Sequence, residues 1–259
     1  MTNPELLMDW HALFDFMSAR GRTFAQRAIG VPADAVSMVE HNCGVQLPTF
    51  YVDFLKSAGE DPDRFTPFGP GQDTDFYELV KLLPTERYPC ERYWRITRHI
   101  DTSVDVHESL FLALERAEPG STPLVTIALN YSFDPAMVED LGITLEDAFV
   151  GGAFRIFEIE PKPSRMAVHA FADTREETLE SAEEARRVLA AMGLQRTFGP
   201  TPRFTCFADG QRAASVEVES ETMVEISIGA ESLARSGSMA EALTATLPNA
   251  HVHTAGMRV

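Results

Sequence analysis

The strongest constraint on the fold lies in the carboxy-terminal third of the chain, where apolar and polar residues alternate with a period of two. The runs "VEVE" at 216–219 and "VEISI" at 224–228 both follow this pattern. Because successive side chains of a strand point to opposite faces, each run predicts a strand with one buried and one solvated face. Asp209-Gly210, just upstream, is a preferred two-residue hairpin turn. The pattern therefore predicts an antiparallel sheet.

Helix start signals flank these predicted strands. Thr174 and Glu177 have the spacing of a capping box ahead of one helix, and Ser238 and Glu241 have the same spacing ahead of another. The order is then helix, three strands, helix and a last strand. We expect a compact α+β unit over residues 164–259, joined to the preceding chain by the stiff segment "PKPS".

The amino-terminal part is expected to mix helices with buried strands. Helical periodicity predicts helices over 5–20, over 32–42, from Pro48 onward, and over 105–118. Three apolar runs predict strands: 76–83, a central one at 123–130, and 151–160. The predicted fold class is α+β, with a mixed sheet flanked by helices in residues 1–163. A smaller α+β domain with a largely antiparallel sheet follows in residues 164–259.

Charge is the feature that bears most directly on partners. The chain holds 39 Asp and Glu against 22 Lys and Arg, a formal net charge of −17. Such a charge opposes binding to nucleic acid or to an anionic membrane, whereas it attracts and steers a basic protein. No signal peptide or apolar run of about 18 residues is visible, and the three cysteines suggest reduced thiols. We therefore expect a cytoplasmic protein.

One stretch resembles a known family. The sequence "VEHNCGVQLPTFYVDFLKSAGE" is similar to the entry motif of the SUKH superfamily, which includes bacterial toxin-immunity and yeast cell-wall-regulator-like domains. The matching positions are Glu40, Gly44, Leu47, Pro48, Tyr51, Phe54, Leu55 and Gly59. The resemblance covers roughly residues 34–160, although the later turn at 130–134 lacks the family's glycine. It implies a mixed α+β domain that binds other proteins, in bacteria often as an immunity protein that neutralises a toxin.

Motifs for catalysis or metal binding are not found in the sequence. There is no Gly-x-Ser-x-Gly elbow, phosphate-binding glycine loop or dinucleotide fingerprint. His41 and Cys43 give only two ligands, and His251 and His253 would share one face of a strand without the four-ligand set of a zinc site. We therefore expect no catalytic residues, no metal and no cofactor.

The predicted partner-binding residues combine an acidic loop with two aromatic residues. The loop spans residues 61–75, and the six residues are Asp61, Asp63, Asp73, Asp75, Tyr93 and Trp94. Loops often carry recognition, and exposed aromatic side chains can anchor a partner. The expected partner is a protein, for example a basic toxin domain.

Two other functions stay open at this point. One is an intracellular scaffold or regulator with the same fold, and the other is a small-molecule enzyme with a site between the domains. Self-association through an edge strand of the carboxy-terminal unit is also left open.

Overall fold

A computed structural model describes most of the chain. The described residues are 9–21, 23–69, 71–85, 88–99, 109–127, 133–198 and 203–253. The chain divides into two compact units between Gly152 and Ala153, whereas the sequence placed the boundary after residue 163. Residues beyond 153 belong with the second unit because they pack on its sheet: a Cβ atom added at Gly229 would lie 2.9 Å from the Ile159 carbonyl oxygen.

The amino-terminal unit contains six α-helices and six strands among its described residues. The helices are α1 (Trp10–Arg20), α2 (Phe24–Arg27), α3 (Ala33–Cys43), α4 (Thr49–Ala58), α5 (Phe76–Leu82) and α6 (Leu145–Phe154). The strands are β1 (Gln72–Asp73), β2 (Tyr93–Arg95), β3 (Arg98–His99), β4 (Leu110–Ala113), β5 (Pro123–Ile127) and β6 (Val138–Thr144).

The strands of this unit form two small sheets. Four strands pair in the order β2-β4-β5-β6, and β1 pairs with β3. Every described pairing is antiparallel, although a mixed sheet was expected. The central position predicted for the apolar run that follows Thr122 agrees with β5, which has a neighbour on each side.

The corner between α3 and α4 forms for local reasons. Gly44 ends α3 in the left-handed region at a φ of 65°, where a side chain would be strained. Pro48 then precedes α4, whose first turn has no need of its missing amide hydrogen. The Glu40 carboxylate accepts a 2.8 Å hydrogen bond from the Leu47 amide and holds the connecting segment. The two helices predicted on either side of the corner are confirmed.

An aromatic cluster fills the core of the amino-terminal unit around Phe149 of α6. Phe149 is fully buried. Five aromatic rings lie with their centroids 4.9 to 5.9 Å from its own: Trp10, Phe50, Phe54, Phe65 and Phe68. Rings from two helices and the acidic loop therefore meet at one side chain.

Two predicted elements of the amino-terminal unit are wrong. Residues 76–83, expected as a strand, begin with helix α5, because the Asp75 carboxylate caps the amides of Tyr77 and Glu78. The described part of the predicted helix 105–118 contains β4 and a single 3₁₀ turn. There, pairing with β2 and β5 overrides a pattern of apolar spacing that suits a helix.

The predicted strand 151–160 is also wrong. It contains the end of α6 and a π-helical segment at Arg155–Ile159. Ile156, Phe157 and Ile159 are all buried. Periodicity does not distinguish a buried strand from a buried helix in a short run that is apolar on every side, so this pattern fits both.

The carboxy-terminal unit is one antiparallel sheet with two helices. Its strands are β7 (Ser164–Phe171), β8 (Gln195–Arg196), β9 (Phe204–Ala208), β10 (Arg212–Val218), β11 (Met223–Ala230) and β12 (Ala250–His253). They pair in the order β12-β7-β11-β10-β9-β8. Helices α7 (Arg175–Ala191) and α8 (Leu233–Thr246) bury Ala182, Leu189 and Leu243 in its core. The α+β class and the antiparallel sheet are confirmed.

The local sequence signals predicted the right types of element in this unit, but the hairpin turn and the start of α8 lie at shifted positions. Thr174 caps α7 as predicted, accepting from the Glu177 amide. The hairpin turn is centred on Gly210 and Gln211, not Asp209 and Gly210, because the Asp209 amide donates to the Arg212 carbonyl at 3.1 Å. Helix α8 begins after Ser232, six residues before the predicted cap at Ser238. Strand β7 was not predicted.

Candidate functional site

The acidic loop over residues 61–75 is closed at its base. The Phe76 amide donates a 2.8 Å hydrogen bond to the Gly59 carbonyl, so the chain leaves and re-enters the fold at one point. Asp61 and Asp75 flank this closure, and Asp61 also bridges to Ile29 through backbone hydrogen bonds. The loop is therefore an ordered structure held from within the unit.

All four predicted aspartates make internal contacts. The Asp61 carboxylate accepts a 2.8 Å hydrogen bond from the Asp63 amide. The Asp63 carboxylate lies 3.1 Å from Arg27. Asp73 accepts two hydrogen bonds from Arg98, at 2.8 and 2.7 Å. Asp75 caps α5. These contacts stabilise the loop and compensate part of its charge. Asp61 is the one of the four whose side chain is exposed, whereas the other three are half-buried. The role of the four residues in binding stays a prediction.

The two predicted aromatic residues lie in different surroundings, and Trp94 is not at the surface. Trp94 is 2% exposed and packs in the core near Tyr51. Burial raises the pKa of the Tyr51 phenol, and the neighbouring indole of Trp94 offsets only part of that rise. Trp94 therefore cannot contact a partner in this conformation, because its side chain belongs to the fold.

Tyr93 is half-buried at the edge of a small cavity of about 200 Å³. Its ring lies 5.8 Å from that of Phe133. The charged residues that line the same cavity are paired with one another: Arg92 with Glu115 at 2.8 Å, and Arg116 with Asp140 at 2.6 Å. The described contacts do not bring Tyr93 together with any of the four aspartates.

A larger groove of about 720 Å³ lies in the amino-terminal unit beside the helix corner. We call it the corner groove. It is lined by residues 46–50, the start of α1, and the turn at 117–120. Four carboxylates lie among the lining residues: Asp9, Asp53, Glu118 and Glu146. None of the described residues lining it is a lysine or an arginine.

Secondary structure holds these carboxylates in place. Asp9 is the N-cap of α1 and accepts from the His11 amide at 2.9 Å. Asp53 lies on α4, with its carboxylate 3.9 Å from the His11 imidazole. Glu118 pairs with Ser121 through two backbone hydrogen bonds of 3.0 Å, closing a turn at Gly120 with a φ of 76°. The groove therefore presents negative charge from three separate elements.

Glu146 is the buried member of the set, with 2% of its surface exposed. Its two carboxylate oxygens accept hydrogen bonds from the Thr122 amide at 2.9 Å and the Thr122 hydroxyl at 3.1 Å. Burial raises the pKa of this carboxyl despite those bonds, and neighbouring Asp147 adds to the rise. A cation brought into the groove would favour the ionised form of Glu146, and the resulting carboxylate would attract that cation.

The corner groove also contains an unmatched hydrogen-bond donor. Trp10 lines the groove and is 1% exposed. Within the described ranges, its indole Nε1 has no hydrogen-bond acceptor. Burying such a donor without an acceptor costs about 1–3 kcal/mol. Because this donor is buried, it belongs to the wall of the groove, and the groups that a ligand can reach are the carboxylates, which suit a ligand with cationic groups, such as a basic peptide.

One wall of this groove, the helix corner, is predictable from sequence, whereas its charged groups are not. The predicted corner includes Pro48 and Phe50. Asp9, Asp53, Glu118 and Glu146 are separated by tens of residues in the chain, and only tertiary structure brings them together. The capping position of Asp9 was the single local signal available.

Comparisons with known proteins add little to this description. No protein-family model matches the chain, and no curated protein matches it. A solved structure, the NMR structure of PA4090 from Pseudomonas aeruginosa, shares 11% identity over 36% of this chain and 97% of its own, with a TM-score of 0.24. That score is too low to support any argument about fold or function.

Two further properties of the described residues concern membrane-spanning helices and metal-binding clusters. Across the part of the chain that the structure covers, no helix is both long and apolar enough to cross a membrane. Within the same part, no three His, Cys, Asp or Glu side chains are grouped as a metal ion would require.

Proposed function

We propose that this chain is a non-catalytic protein-binding module that holds a basic partner at the corner groove. The observation that carries the proposal is the lining of that groove, which has four carboxylates and, among its described residues, no lysine or arginine. A lysine or arginine side chain of the partner would enter the groove and pair with Asp53 and Glu118.

The charge distribution supports the same partner class. Residues 1–152 carry 24 acidic and 11 basic residues, a net charge of −13 out of −17 for the whole chain. A field of this sign speeds the approach of a basic protein and weakens as salt is added. The groove would then supply the specific contacts that follow this long-range attraction.

The resemblance to the SUKH superfamily supports a more specific version of the proposal. In that version the partner is a basic bacterial toxin domain, which the chain neutralises by covering its active surface. A scaffold or regulator would use the same groove for a different partner. The two versions differ in which protein is bound, so identifying the partner separates them.

The decisive experiment is affinity capture of the tagged full chain from its native cells, at low and at moderate salt. We expect one basic protein at a stoichiometric level, with recovery that falls as salt rises. The groove variant Asp53→Asn with Glu118→Gln should reduce the affinity for that protein about tenfold, since two charge-assisted contacts are lost.

A matched control separates the groove from the overall field. Asp15→Asn with Glu139→Gln removes the same charge from the same unit at exposed positions outside the groove lining. This pair should slow association slightly and leave the dissociation rate unchanged. Equal losses from both pairs would exclude the groove as the binding site. Capture of an acidic partner, insensitive to salt, would exclude the proposal itself.

A further inference from the structure

A second groove lies in the carboxy-terminal unit, along the exposed side of α7. It has a volume of about 810 Å³ and is lined by α7 between Glu176 and Arg187, by the end of β7 and by the turn that precedes β12. We call it the α7 groove. It shares no residue with the corner groove.

Two large apolar side chains of this groove are left in solvent. Phe171 is 42% exposed and Leu179 is 43% exposed. Phe171 ends β7, while Leu179 lies on α7 beside the stripe that Ala182 and Ala185 bury against the sheet. Covering these two side chains would stabilise a complex by about 25 cal/mol for each Å² of apolar surface removed from water.

Carboxylates surround the two apolar side chains. The acidic residues of the lining are Asp173, Glu176, Glu177, Glu180, Glu183 and Glu184, and its one described basic residue is Arg187. Glu184 is already paired with Arg187 and Glu183 with Arg186. For Glu176 and Glu180, the described part of the chain shows no ion pair. These two carboxylates precede and follow Leu179 on the exposed side of the helix.

The spacing of Glu176 and Glu180 is unfavourable for the isolated helix. Like charges four residues apart face one another on a helix surface and destabilise it by a few tenths of a kcal/mol. The helix dipole favours Glu176 in the first turn, but its effect has faded at Glu180. A cationic side chain bound between the two would turn this repulsion into attraction.

We infer that the α7 groove is a docking surface for a basic segment of a partner protein, one that carries a large apolar side chain between lysines or arginines. The apolar side chain contacts Phe171 and Leu179, and the flanking cations pair with Glu176 and Glu180. A second copy of this chain is a poor occupant. Residues 153–259 hold 15 acidic and 11 basic residues, so two copies of this unit are both negatively charged and would repel each other. This inference does not depend on the corner groove.

Selection from random peptides displayed on phage, with the immobilised full chain as target, tests the inference directly. We expect enriched peptides to share an apolar residue flanked by lysine or arginine. Fluorescence anisotropy of one enriched peptide should then show about tenfold weaker binding to Leu179→Ala, as expected for the loss of one buried leucine contact. Glu180→Gln should weaken binding about threefold, as expected for one partly exposed charge pair.

Matched variants distinguish the groove from general charge and hydrophobicity. Leu233→Ala removes an even more exposed leucine, at 68% exposure, from outside the groove, and Glu241→Gln removes an exposed carboxylate from α8. Both should bind the peptide as the unaltered chain does, and so should the corner-groove variant Asp53→Asn with Glu118→Gln. Circular dichroism should show the same fold for all variants.

Four results would overturn the inference. The first is enrichment of peptides without cationic residues, and the second is equal binding to Leu179→Ala and Leu233→Ala. The third is self-association in sedimentation that Leu179→Ala abolishes, since a second copy would then occupy the groove. Loss of peptide binding in the corner-groove variant alone would also contradict it, and would instead assign the peptide to the site of the proposed function.

Discussion

Replacing Phe149 by alanine lowers the free energy of unfolding of the amino-terminal unit by about 3–5 kcal/mol, the usual cost of removing a buried phenylalanine ring. Phe149 is fully buried, and five aromatic rings surround it. Its removal leaves a cavity that rigid rings cannot collapse to fill, and the edge-to-face contacts are lost as well.

Tryptophan fluorescence is the measurement suited to this prediction. The chain has two tryptophans, Trp10 and Trp94, and both lie in the amino-terminal unit. Their emission during urea denaturation therefore reports the unfolding of that unit. The matched control is Phe171→Ala, because Phe171 is 42% exposed and lies in the other unit. A fluorescence midpoint that shifts equally in both variants would show that Phe149 has no special place in the core.

The stability of the carboxy-terminal unit falls as pH rises from about 5 to about 7, and Glu217 is the cause. On β10, Glu217 lies directly opposite Glu225 of β11. The pKa of Glu217 is raised from 4.5 to about 7, first by partial burial and then by the charges of Glu225 and Glu219, while Arg203 and Arg155 offset part of the rise.

The sign of the effect follows from proton linkage. Between pH 4.5 and 7 the folded chain keeps the Glu217 proton, whereas the unfolded chain releases it. The native state therefore binds more protons in this window, and raising the pH favours unfolding. The loss approaches about 2–3 kcal/mol at pH 8, after allowance for partial exposure to solvent.

Glu217→Gln should remove this dependence, because glutamine keeps the shape of the side chain and does not ionise. The variant should be more stable than the unaltered chain at pH 8 and similar to it near pH 5. Thermal unfolding followed by circular dichroism over this range measures the difference, and Glu241→Gln, an exposed carboxylate on α8, serves as control. Parallel pH profiles for the unaltered chain and Glu217→Gln would contradict the assignment.

An element is predictable from the sequence when the residues that determine it lie close together in the chain. The alternation in 216–219 and 224–228 is local, and it correctly predicted β10 and β11. A capping side chain acts within one turn, and Thr174 was found correctly. The alternation of Met166, Val168 and Ala170 in β7 is equally local, but it directly follows "PKPS", whose prolines are typical of a connecting segment.

Elements whose structure depends on residues far away in the chain could not be predicted from the sequence. The residues of β4 have apolar spacing that suits a helix, and they form a strand only because β2 and β5 lie on either side. The corner groove draws its carboxylates from four separate segments. The negative charge of the acidic loop is visible in the sequence. The pairing of Asp63 with Arg27 and of Asp73 with Arg98 is a tertiary contact, which composition does not reveal.

The closure of the acidic loop has a consequence for how this chain can vary. Since the loop leaves and re-enters the fold at the hydrogen bond between Phe76 and Gly59, a change of length near its tip leaves the entry and exit points where they are. At Gly69 an added Cβ atom would meet no atom within 4 Å, which shows open space there. An insertion at Gly69, such as an epitope tag, can therefore be accommodated, whereas a deletion that removes Phe65 or Phe68 would take a ring out of the aromatic core around Phe149.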